Sequence, residues 1–171
     1  MSRLIVLFFT CFALDNILVN SFSIQPIFHR FSAIPNVFLM CLIMFIFFDR
    51  SQKIYIFAFV FGLLYDICYA DLFGLYVLLF PCITFIVQKT LAQIMPVNIL
   101  SILALLSICI AFEETCVYFL VQTMYTTNMS LIQFITYLLT PTILFNGVIL
   151  LFMYPILKSQ FKIYQWHLDR S

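Results

Sequence analysis

Long apolar runs separated by short polar clusters fill the chain from residue 4 to residue 157. A hydropathy window reading predicts six helical spans, at residues 4–24, 34–48, 54–69, 73–87, 97–121 and 131–157. The second, third and fourth are short against the roughly 20 residues that a full crossing needs. A short helix is accommodated inside a bundle, by snorkelling of its flanks, or as a re-entrant piece. A five-span reading therefore stands beside the six-span one on hydropathy alone. The connections are too small to be domains: DRSQK at 49–53, QKTLAQIMP at 88–96, and outer loops at 25–33 and 122–130. The pattern predicts an all-α polytopic membrane protein, a compact bundle of about six transmembrane helices over residues 1–157. A short amphipathic, basic tail follows at 158–171, where Phe161, Tyr164 and Trp166 alternate with cations suited to the headgroup layer.

Charge decides between five spans and six. With both termini in the cytoplasm, Arg3, Arg50, Lys53, Lys89, Lys158, Lys162 and Arg170 lie inside and Arg30 alone lies outside. That bias follows the positive-inside rule, and five spans would scatter it over both faces. Composition agrees: 65% of the 171 residues are hydrophobic and 9% charged, against roughly a quarter charged in a soluble domain. The N-terminal apolar run lacks a small-x-small cleavage site and resumes beyond Asp15 and Asn16, so it reads as a retained first helix. The six cysteines lie in apolar runs without a CxxC pair and read as small buried hydrophobes. His29 and His167 have no neighbouring ligand set, so no metal site and no cofactor are expected. Nothing resembles a nucleotide-binding loop or a nucleic-acid surface.

The candidate chemistry is a handful of polar residues inside the spans. Asp15 lies midway along the first span, where a lone carboxylate must face the bundle, be protonated or find a polar partner. Asp66 lies about 18 Å up the third span by helical rise, with Gly62 four residues earlier on the same face. A glycine there admits a close neighbour that can bring donors to Asp66. Asp71 is expected to cap the fourth helix, and Gly74 to permit the turn beside it. Glu113 and Glu114 sit mid-span and point about 100° apart, one toward the core and one toward a neighbouring helix or partner. Pro81 and Pro141 are helix-bending positions, and Asn146 and Gly147 interrupt the sixth span. No Ser-His-acid set, HExxH motif or aspartate pair at one depth is present, so an enzyme is not expected.

The stretch FGLLYDICYADLFGLYVLLFP resembles the central signature of the rod shape-determining protein MreD family in its Gram-positive form, through Gly62, Leu63, Asp66, Phe73 and Gly74. A second stretch, LLTPTILFNGVILLFMYPIL, is similar to the family's last helix through Pro141, Asn146, Tyr154 and Pro155, and Pro35 matches a recurrent proline. Glu113 and Glu114 have no place in that pattern. The resemblance implies a non-enzymatic scaffold or regulator of peptidoglycan synthesis and cell shape in the bacterial cytoplasmic membrane. It implies an MreC-like bitopic partner, a RodA-like polymerase, a class B penicillin-binding protein and, in many species, MreB. It also implies a fold similar to the substrate-binding subunits of energy-coupling-factor transporters. That likeness keeps a small-molecule-binding subunit or transporter as the alternative, and a lipid-handling role as a third reading. Gly62, Asp66, Asp71, Gly74, Asp15, Glu113, Glu114, Pro141 and Asn146 are the candidate structural and partner-assembly residues.

Overall fold

The computed structural model describes residues 2–23, 32–49, 51–69, 74–91, 96–124 and 129–168. Its helices are α1 (Ser2–Ser23), α2 (Val37–Phe48), α3 (Lys53–Tyr69), α4 (Leu75–Ile86), α5 (Ile99–Met124), α6 (Leu131–Phe134) and α7 (Thr140–Leu168). Short π-helical segments follow α4 at Val87–Leu91 and join α6 to α7 at Ile135–Leu139, so the chain from 131 to 168 is one helical path. Each of the six expected spans contains a helix. Three helical stretches, Arg3–Asn20, Ile99–Met124 and Leu131–Trp166, are long and apolar enough to cross a membrane.

The organising element is α2. Eleven of its twelve residues are buried, on every side of the helix. A helix apolar all round belongs in a core. Helices α1, α3, α4, α5 and α7 all pack against it. At 12 residues it rises only about 18 Å, too short to cross a bilayer of about 30 Å. It begins at Val37, not at residue 34 as the hydropathy predicts, because residues 32–36 are not helical. The chain thus approaches the start of α2 as irregular backbone, with Pro35 and Asn36 buried. Non-helical backbone at such depth is tolerated where protein groups satisfy it.

Aromatic rings weld the ends of the helices together. Phe8 of α1 stacks on Phe57 of α3 with centroids 4.7 Å apart and meets Phe45 of α2 at 5.7 Å. Tyr164 of α7 hydrogen-bonds Asp49, just past α2, at 3.1 Å, and Gln165 donates to the Phe48 carbonyl. The start of α1, the end of α2, the start of α3 and the end of α7 therefore share one end of the bundle. Arg3, Lys53, Lys158 and Lys162 are carried to that end by these helices.

Several expectations change in detail. Residues 158–168, expected as a separate tail, continue α7, and Phe161 and Tyr164 pack as core residues against Phe45. Asn146 and Gly147 do not interrupt the last span, which stays helical through both. All six cysteines are free, but Cys68 and Cys82 are exposed and Cys116 half-buried, so only Cys11, Cys41 and Cys109 are the buried hydrophobes expected.

Candidate functional site

Asp15 and Asp66 serve the same purpose at two places. The first N–H groups of any helix lack partners within it. Neither α2 nor α4 supplies a side-chain cap of its own: Asn36 makes no cap bond, and Gly74 has no side chain. A carboxylate from the preceding helix takes over in each case. Asp15 of α1 is 1% exposed; its Oδ1 accepts from Val37 N at 2.7 Å and its Oδ2 from Phe38 N at 2.8 Å. The Tyr65 hydroxyl of α3 donates to the same Oδ2. One carboxylate thus joins α1, α2 and α3. It also supplies the negative charge that the positive end of α2 favours.

Asp66 of α3, also 1% exposed, accepts from Tyr76 N at 2.8 Å, Val77 N at 3.1 Å and Gly74 N at 3.1 Å. The cap of α4 therefore comes from Asp66. Asp71, expected in that role, lies outside the described residues. Gly74 is the residue that turns the chain into α4, at φ +105°, a conformation that side chains disfavour. Gly62 makes the approach possible. A Cβ on it would lie 2.6 Å from the Tyr76 carbonyl oxygen and 2.9 Å from the Val77 Cα. The α4 backbone occupies the space a side chain would need, as the placement of Gly62 one turn before Asp66 predicts.

The non-helical segment before α2 is held by α7. Asn146 is buried; its Oδ1 accepts from Asn36 N at 2.7 Å, and its Nδ2 donates to the carbonyls of Ile34 at 2.7 Å and Thr142 at 2.9 Å. The Thr142 hydroxyl accepts from Ile34 N at 3.2 Å. Pro141 completes the set by what it lacks. It has no N–H for the carbonyl four residues back, Tyr137, and that carbonyl accepts from Ser32 N at 2.9 Å. The Ser32 amide thus bonds a carbonyl that Pro141 cannot serve.

Glu113 and Glu114 are both buried, 3% and 5% exposed. Glu113 lies within electrostatic range of Asp15, and its Oε2 is enclosed without a hydrogen-bond partner. Asn36 Nδ2 is enclosed and unpartnered likewise. The structure thus joins Asp15, Asn146 and Pro141 around the start of α2, and Asp66, Gly62 and Gly74 around the start of α4. Tyr65, Thr142 and Asn36 were absent from the expected set. Tyr65 had a legible signal, since it directly precedes Asp66 within an apolar helix. Thr142 and Asn36 had none, because their partners are more than 100 residues away in sequence.

Asp15 and Asp66 are committed to backbone amides, and among the described residues no cluster of three His, Cys, Asp or Glu could hold a metal. What these two carboxylates do is mechanical: they fix two helix starts inside an apolar bundle. No curated protein and no solved structure matches the chain. A family model described as rod shape-determining protein MreD matches residues 1–164, nearly the whole length, and the chain belongs to that family.

Proposed function

We propose that the protein is a non-enzymatic membrane scaffold of the bacterial cell-elongation machinery, acting with an MreC-like bitopic protein to position or regulate the wall synthases. The carrying observation is the family match over residues 1–164. The anchoring of α2 and α4 supports it, because a rigid bundle with minimal loops presents fixed helix faces to partners. Asp15 and Asp66 are spent on holding helices together, which gives them a structural role in assembly. The reading places both termini, with the basic end of the bundle, in the cytoplasm.

The alternative, a solute-binding subunit of the energy-coupling-factor type, needs a chamber at the bundle centre. Among the described residues that centre is filled by α2, which favours the scaffold. The deciding experiment is gentle purification of the tagged protein from its native membrane, with partners identified by mass spectrometry. Recovery of an MreC-like protein together with a RodA-like polymerase and a class B penicillin-binding protein is expected. Recovery of an ATPase module in their place, or of neither while the protein is folded, overturns the reading.

A further inference from the structure

A groove between α1 and α3 opens on the outside of the bundle, at the end that carries Lys53. Its walls are Ile5 and Phe9 of α1 and Ile56 and Val60 of α3, all exposed to the surroundings. Phe61 closes the floor, with its ring against Phe9 at 5.1 Å. Lys53, the first residue of α3, stands at the mouth. From Lys53 to Val60 the helix rises about 10 Å, within the roughly 15 Å of one leaflet's hydrocarbon.

A groove of this kind on a membrane protein is covered by lipid or by another helix, and the cation at its end separates the two. A transmembrane helix offers its polar ends to headgroups and water, leaving an ammonium at the groove mouth unmatched. A phospholipid puts a phosphate there and a chain in the groove below. No carboxylate lines the groove. The nearest in sequence, Asp49, is held by the Tyr164 hydroxyl at 3.1 Å and by Ser51 N at 2.8 Å. The positive end of α3 adds to the attraction for an anion.

We infer that the α1–α3 groove is a site for an anionic phospholipid, one acyl chain lying along Phe9, Val60 and Phe61 and the headgroup meeting Lys53. The site is independent of the scaffold reading and of which leaflet it faces. It belongs to the folded bundle whether or not a partner is bound.

The test is native mass spectrometry of the purified full chain in mild detergent. Dioleoyl phosphatidylglycerol and dioleoyl phosphatidylcholine compete at equal concentration. The wild type is expected to retain one phosphatidylglycerol with about fivefold preference, the factor one lysine contributes at an anionic surface. Lys53→Gln abolishes the preference. Val60→Trp, made at an exposed position so that the fold is kept, fills the groove and lowers retention of both lipids. Lys162→Gln, a cation on α7 away from the groove, leaves the preference intact. Equal retention of the two lipids by the wild type overturns the inference. So does a preference that survives Lys53→Gln, or one that falls as far in Lys162→Gln. Unchanged retention in Val60→Trp overturns the placement in this groove.

Discussion

At the residue scale, both oxygens of each of the two buried aspartates are engaged by donors of other helix starts, as the cost of an unpaired acid in a membrane demands. Asp15 accepts from two backbone amides and a tyrosine hydroxyl, and Asp66 from three amides. Removing such an acceptor strands its donors in a low-dielectric interior, which is worse than never having made the bond. Asp15→Ala is therefore expected to destabilise the protein by about 2–4 kcal/mol, read as a lower midpoint in thermal or denaturant unfolding in detergent. Asp15→Asn keeps an acceptor for part of the set and is expected to lose less. Equal midpoints for wild type and Asp15→Ala would remove Asp15 from the role of trans cap. The glycines separate by the same kind of measurement. Gly62→Ala puts a methyl group into the Tyr76 carbonyl and is expected to cost about 1–3 kcal/mol by forcing α3 and α4 apart. Gly74→Ala meets no neighbour within 4 Å, and its expected loss of about 1–2 kcal/mol comes from backbone conformation alone. A crowding defect is eased by enlarging room elsewhere on α4, and a conformational one is not.

At the element scale, the helices begin in two ways. Helices α5 and α6 are capped from within their own sequence. Asn98 Oδ1 accepts from Ser101 N at 2.7 Å, and Ser130 with Gln133 forms a capping box. Helices α2 and α4 are capped by carboxylates from other helices. The non-helical run before α2 depends in turn on Asn146, Thr142 and the Tyr137 carbonyl. Asn146→Ala is expected to loosen this run more than it loosens the middle of α7. Amide hydrogen exchange should show faster exchange at Ile34 and Asn36, with residues 150–160 little changed. Pro141→Ala restores an N–H that competes for the Tyr137 carbonyl, so faster exchange at Ser32 is expected. Protection at Ser32 equal to the wild type would show that the proline does not govern that contact.

At the scale of the whole molecule, the fold is a shell of helices around one short buried helix, with Arg3, Lys53, Lys158 and Lys162 gathered at one end by the contacts among Phe8, Phe45, Phe57, Asp49 and Tyr164. Cysteines introduced at Ser51 and Ser159 in a cysteine-free background are expected to react with an impermeant maleimide from the same side of sealed vesicles. Reaction from opposite sides would break the shared end. In the native sequence, Cys68 and Cys82 are expected to react in mild detergent, while Cys11 and Cys41 react only on unfolding, because packing excludes the reagent from the core.

The sequence by itself determined the membrane class and the six helical segments, because hydrophobic length acts along the chain and needs no partner. It also placed Gly62 and Asp66 correctly as a close-approach residue and an acceptor on one helix face. It did not show that Asp66 caps α4, because those bonds form only across the α3–α4 contact. It could not show that α2 is the centre of the bundle. A run apolar on every side is equally a lipid-facing span and a buried core helix, and only the surrounding helices distinguish them. Nor could it join Asp15 to Val37 or Asn146 to Asn36. Those bonds cross 22 and 110 residues of chain, and only tertiary packing brings such donors and acceptors within reach.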